Sequence, residues 1–77
     1  MITREQAFKI IGLFQTAYKE SYRDSTPEEI EQKAAIYRDI LQDYTFEQVQ
    51  AGIRAYMSEN HQYEPKPGQI IARIRGN

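Results

Sequence analysis

The sequence predicts an all-α fold, a small compact bundle of three main helices followed by a short C-terminal helix. Apolar residues recur with the helical period of 3.6, three threonines stand at helix-start signals, and no segment keeps the period-2 alternation of a β-strand. The chain has 77 residues. We therefore expect a single domain over residues 1–77, whose one core supplies only about 3–5 kcal/mol of stability.

The helix starts are marked by a threonine followed three residues later by Gln or Glu, at Thr3–Gln6, Thr26–Glu29 and Thr45–Gln48. In such a capping box the threonine hydroxyl accepts from the amide three residues on, and the side chain there reaches back to the threonine amide. Two of the four unpaired N–H groups at a helix start are thereby satisfied. Pro27 strengthens the second signal, because its fixed φ suits the first helical position.

Each start signal opens an apolar stripe. We predict helix 1 over about residues 4–22, helix 2 over about 27–43, helix 3 over about 46–59 and a short helix 4 over 67–74. Pro65 and Pro67 disfavour helix in the residues before them, so the chain should approach helix 4 in an extended conformation. The expected inward positions are Ala7, Ile11, Phe14, Tyr18, Tyr22, Ile30, Ala34, Tyr37, Leu41, Tyr44, Val49, Ile53, Tyr56, Met57, Ile70, Ile71 and Ile74.

Gly52 lies inside predicted helix 3, where glycine costs about 1 kcal/mol relative to alanine. It stands near the buried side of that helix. We therefore expect another helix to pack closely against its bare backbone.

Composition excludes several classes of protein. Ten Lys and Arg stand against 11 Asp and Glu, a formal net charge of −1, which argues against direct nucleic-acid binding. No cysteine is present for a disulfide or a thiolate metal site. No apolar run approaches the roughly 18 residues of a membrane helix, and we expect a monomer in the cytoplasm.

Residues for catalysis are also missing. The single histidine, His61, has no second His or Cys to share a metal with, no serine has a base at a predictable distance, and no glycine-rich loop follows a strand. The sequence therefore predicts no enzyme, no catalytic residues, no metal site and no cofactor.

Candidate partner-binding residues lie at the edges of the stripes. Phe8 and Leu13 flank the stripe of helix 1 and Ile36 lies at the edge of helix 2, so exposed apolar surface is expected there, with burial against helix 4 as the alternative. Arg73 and Arg75 make the end of helix 4 basic. Their charge suits a helix C-terminus, and a contact with a partner or a nucleic acid is the other interpretation.

Several motifs together resemble the folded N-terminal domain of phage proteins that load and inhibit the replicative helicase. They are Tyr37-x3-Leu41-x-Asp43-Tyr44, Phe46-Glu47-x-Val49, Tyr56-Met57 followed by Asn60, and Pro65-x-Pro67 before Ile70. The resemblance implies a non-enzymatic replication accessory protein of a phage or prophage, acting in the bacterial host. Such a protein binds the hexameric helicase, holds back its ATPase and unwinding, and hands it to an origin-binding initiator.

The sequence departs from this family in two places. The loop His61–Glu64 before the prolines is longer than the usual turn, and residues 75–77 after helix 4 are too few for the flexible C-terminal extension that family members use on the helicase. We therefore expect these 77 residues to bind the helicase weakly and to leave its ATPase active. A DNA-binding module of a phage replisome organiser and a generic helical interaction domain remain as alternatives.

Overall fold

The computed structural model describes residues 1–76, which form four α-helices and one short 3-10 helix. The α-helices are α1 (Arg4–Ala17), α2 (Pro27–Ile40), α3 (Phe46–Met57) and α4 (Pro67–Arg75), and the 3-10 helix is Lys19–Tyr22. The described residues contain no β-strand, so the predicted all-α class is confirmed. α1 packs mainly against α2, and α3 packs mainly against α4.

All three predicted capping boxes are present. The amides of Gln6, Glu29 and Gln48 donate to the threonine hydroxyls at 3.1–3.2 Å. Each of these three side chains accepts from the amide of its own threonine at 2.9 Å. Because these bonds are local, the helix starts follow directly from short stretches of sequence.

α4 begins with half of the same arrangement. The Gln69 side chain accepts from the Lys66 amide at 2.8 Å. The Lys66 side chain has no acceptor atom, so it cannot accept from the Gln69 amide in turn. Pro67 occupies the first helical position. Proline has no N–H group, so this helix start has one unpaired backbone donor fewer to satisfy.

The predicted end of helix 1 at residue 22 is wrong, because α1 ends at Ala17. Tyr18 leaves the helical conformation with φ −127° and ψ 61°, and its amide closes the last turn on Phe14 at 2.7 Å. The chain then tightens into the 3-10 helix and still buries Tyr22. The spacing of Phe14, Tyr18 and Tyr22 is that of a continuous α-helix, so periodicity alone could not locate the break.

The other helix ends differ less from the predicted ones. α2 stops at Ile40 instead of 43, α3 stops at Met57 instead of 59, and α4 continues to Arg75, one residue past 74. After α3 the chain turns through Asn60, whose φ is 63°. Asparagine is among the few residues that adopt this left-handed conformation readily, so the chain can change direction at this point, three residues after the end of α3.

The core is built from the predicted stripes with additions. Ile2, which no prediction placed inside, is fully buried just before the Thr3 cap, together with Ala7 at the fourth helical position. This is the placement of a hydrophobic staple. The buried apolar residues are Ile2, Ala7, Ile10, Ile11, Phe14, Tyr22, Ala34, Tyr37, Leu41, Val49, Ile53, Tyr56 and Ile70. Phe8, Tyr18, Ile30, Tyr44, Phe46, Met57, Ile71 and Ile74 pack half-buried against this core.

Gly52 lies where α3 meets α4, and the predicted close packing is confirmed. A Cβ atom built on Gly52 would stand 2.9 Å from the Ile70 carbonyl oxygen and 3.1 Å from side-chain carbons of Ile70 and Ile74. The absence of a side chain therefore allows α4 to approach α3 at this point.

Candidate protein-interaction surface

Two of the predicted partner-binding residues are apolar and exposed. Leu13 is 43% exposed and Ile36 is 55% exposed, and neither belongs to the buried core. Phe8, by contrast, is half-buried against the core, with the Arg4 guanidinium 5.3 Å from its ring centre. Their surroundings differ: Phe8 lies in a depression between α1 and α2, whereas Leu13 lies in a groove between α1 and α3.

The groove between α1 and α3, called the α1/α3 groove below, is lined by five large apolar residues and three polar ones. Its volume is about 340 Å³. Ile10 and Ile53 are almost completely buried and form its floor, and Leu13, Phe46 and Met57 form its walls. The polar lining consists of Lys9, Gln50 and Arg54. α1 and α3 each pack mainly against another helix, so this space between them stays open.

Ile36 belongs to a second exposed apolar feature. Ile40, one helical turn later on α2, is 45% exposed and also lies outside the core. Residues four positions apart lie on the same side of a helix, and the structure leaves this side of α2 uncovered. Contiguous apolar surface on a small domain is typical of protein-binding sites.

Arg73, the fourth predicted residue, is held in a network beside α3. Its Nε donates to the Glu59 carboxylate at 3.1 Å, and its guanidinium lies 4.9 Å from the centre of the Tyr56 ring. The His61 ring stacks on Tyr56 with a centroid distance of 3.8 Å, and His61 Nε2 lies 2.9 Å from a Glu59 oxygen. The hydrogen bonds from Arg73 and then from His61 lower the pKa of Glu59 to about 2.

This network gives Arg73 a role in joining α4 to the end of α3. Arg75, the fifth predicted residue, lies exposed in the last turn of α4, where a cation is favourable. The position of Arg75 is compatible with helix-terminal charge, and the contacts of Arg73 are with Glu59 and Tyr56 of the neighbouring segment. A contact of Arg73 or Arg75 with a partner stays a prediction.

Glu64 is a polar centre that the sequence analysis missed. Its side chain is only 10% exposed and accepts from the hydroxyl groups of Tyr22 at 2.9 Å and Tyr37 at 3.2 Å. Lys33 Nζ lies 3.3 Å from the same carboxylate. Burial first, and then Glu64, raise the pKa of Tyr22 and of Tyr37 above the ordinary value of 10.

The Glu64 cluster, formed by Glu64 with Tyr22, Lys33 and Tyr37, joins the 3-10 helix, two turns of α2 and the loop before α4. Tyr37 Oη also lies 2.7 Å from the Pro65 carbonyl oxygen, within hydrogen-bond distance. Both carboxylate oxygens already face donors, as expected of a structural clamp. No local sequence pattern predicts such a cluster, because its members lie up to 42 positions apart in the chain.

Two other kinds of site are absent from residues 1–76. No three His, Asp or Glu side chains there are grouped so that they could hold a metal ion. No helix in that range has both the length and the apolar character needed to cross a membrane.

Comparison with known protein families gives a match over most of the chain. The model of the N-terminal domain of a phage helicase loader/inhibitor family matches residues 2–71. The match extends from the buried Ile2 into α4 and so includes the α1/α3 groove, the Ile36–Ile40 side of α2 and the Glu64 cluster. No curated protein and no solved structure matches the chain.

Proposed function

This chain belongs to the N-terminal domain family of phage helicase loaders and inhibitors, and from that membership we propose that it binds the replicative helicase of the bacterial host. It acts there as a replication accessory protein that loads the helicase and restrains it. The family match over residues 2–71 is the observation that carries the proposal.

The surface of the domain supports binding to a protein. Leu13, Ile36 and Ile40 are exposed by 43%, 55% and 45% on a domain of 77 residues. Exposed apolar side chains of this kind supply the affinity of protein–protein contacts when they are desolvated. The finer steps, restraint of the ATPase and delivery to an origin-binding initiator, belong to the same proposal and rest on the family alone.

The alternative function of a DNA-binding module has less support. A helix that enters a groove of DNA normally carries several cations for phosphates and base edges. α3 contains a single cation, Arg54, and in α4 the Arg73 guanidinium is bound to Glu59. A mobility-shift assay with duplex DNA at low salt provides the direct comparison, and we expect no shift.

Sedimentation of the chain with the host's hexameric helicase tests the proposal. We expect a saturable complex of modest affinity, because one small domain offers a limited contact area. ATP hydrolysis measured over the same titration shows whether the folded domain restrains the helicase, and only weak restraint is expected. A shift of duplex DNA without any helicase complex would contradict the proposal.

A further inference from the structure

We propose that the α1/α3 groove is the docking site for an acidic amphipathic helix of a partner protein. The inference rests on the proposed function, because it assumes that the chain acts by binding another protein. It adds the place of contact and the chemistry of the segment bound.

The lining of the groove is suited to apolar side chains. Ile10 and Ile53 close its floor at 3% and 2% exposure, so an inserted side chain would meet a dry apolar surface. Leu13 on α1 is 43% exposed beside this floor, and Phe46 and Met57 remain half-buried on α3. An occupant would bury these three side chains, which is the main source of affinity in such contacts.

The length of the groove favours a helix as the occupant. Its α3 wall runs from Phe46 through Gln50 and Ile53 to Met57, which is about 16 Å at roughly 1.5 Å per residue. An amphipathic helix of about three turns is also about 16 Å long, and its anchors at positions i, i+3 or i+4, and i+7 span about 10 Å of that length. The other depressions of similar volume lack this lining: one is bordered by Glu28, Glu31, Gln32 and Ala35.

The charge of the rim selects an acidic occupant. Lys9 and Arg54 both line the groove, and no carboxylate does. Neither cation is in an ion pair within residues 1–76, whereas Arg4, Lys33 and Arg73 each face a glutamate. The chain as a whole has a net charge of −1, so this basic rim is a local feature. Aspartate or glutamate beside the anchors of the bound helix would complement both cations.

Two designed peptides test the groove directly. Both carry the same three-turn apolar face, one with glutamates and one with lysines beside it. In an NMR titration of the isotope-labelled chain, we expect the acidic peptide to shift the amide signals of Lys9, Leu13, Gln50, Arg54 and Met57. The basic peptide should bind roughly tenfold more weakly.

Charge-reversal variants provide the matched control. The double variant Lys9→Glu/Arg54→Glu should lose roughly tenfold in affinity for the acidic peptide and gain affinity for the basic one. Lys19→Glu/Lys66→Glu makes the same change in net charge at exposed positions away from the groove and should bind like the wild type. Equal binding of both peptides, shifts centred on Ile36 and Ile40, or filling of the groove by a second copy of the chain would overturn the inference.

The helicase experiment separates this inference from the proposed function. If the wild-type chain binds the helicase, Lys9→Glu/Arg54→Glu should weaken that complex and Lys19→Glu/Lys66→Glu should not. Equal binding by both variants would reject the groove and leave the proposed function standing. If the wild-type chain does not bind the helicase, the proposed function fails and the peptide titration alone decides on the groove.

Discussion

The hydroxyl group of Tyr22 donates a 2.9 Å hydrogen bond to the carboxylate of Glu64, 42 positions further along the chain. Through this bond and that of Tyr37, the loop before α4 is held against the 3-10 helix and α2. The stability of the loop should therefore depend on one carboxylate.

Replacement of Glu64 by alanine should lower the free energy of unfolding by about 2 kcal/mol, because the buried Tyr22 hydroxyl and Lys33 lose a charged partner, whereas the Tyr37 hydroxyl keeps the Pro65 carbonyl. In a domain of this size the melting temperature should fall by about 8–16 °C. Thermal and urea unfolding measure the loss, and Glu64→Gln should lose less. Glu31→Ala, which removes an exposed ion pair with Arg4, is the control and should change stability by about 0.5 kcal/mol or less. Equal losses in the two alanine variants would contradict the clamp.

A methyl group at Gly52 should destabilise the protein, although alanine favours helix. The added Cβ would stand 2.9 Å from the Ile70 carbonyl oxygen, and backbone there can move away only by shifting α4. We expect a loss of about 1–3 kcal/mol in urea unfolding. Gly12→Ala in α1 is the matched control: nothing lies within 4 Å of its Cβ position, so it should gain up to about 1 kcal/mol. A similar gain at both glycines would show that α3 and α4 are not tightly packed.

Glu59 should make stability depend on pH in the acidic range. Arg73 and His61 lower its pKa from 4.5 to about 2 in the folded protein. Between these values the unfolded chain binds more protons, so this stabilisation is present above pH 4.5 and is lost as pH falls through about 2. The urea midpoint followed across this range should fall less in Glu59→Gln than in the wild type, and Arg73→Gln should behave in the same way. A slope unchanged in Glu59→Gln would contradict the assignment.

Leu13→Asp and Ile36→Asp separate binding from folding. Both residues are exposed and lie outside the core, so each variant should keep a melting temperature close to that of the wild type. If the groove binds the helicase, Leu13→Asp should reduce helicase capture much more than Ile36→Asp. Loss of stability in step with loss of binding would assign the residue concerned to the core.

How much of this could be predicted depends on how local each feature is. The helix starts at Thr3, Thr26 and Thr45 were readable because their hydrogen bonds span three residues. The end of α1 was not, since the apolar spacing continues through Tyr18 into the 3-10 helix. Burial of Ile2 does have a local signal, because the residue just before a helix cap is the position of a hydrophobic staple.

The candidate sites show the same limit. Exposure was one of two outcomes expected for Phe8, Leu13 and Ile36 at the edges of their stripes; Leu13 and Ile36 are exposed, whereas Phe8 is half-buried. Leu13 shares a groove with Phe46 and Met57 because α1 lies beside α3. The relative position of two helices cannot be read from the spacing of residues within either one. The residues that surround Glu64 are equally remote from one another in sequence, and so a loop glutamate was not expected to be buried.

The pairing of α1 with α2 and of α3 with α4 has a consequence for folding kinetics. Contacts between neighbouring helices need only short loops to close, and helical domains of this kind fold in roughly microseconds to milliseconds. The Tyr22–Glu64 contact closes a much longer loop and should form after the helix pairs have assembled. Glu64→Ala should consequently speed unfolding while leaving the folding rate nearly unchanged, so the clamp sets the lifetime of the folded domain more than its rate of formation.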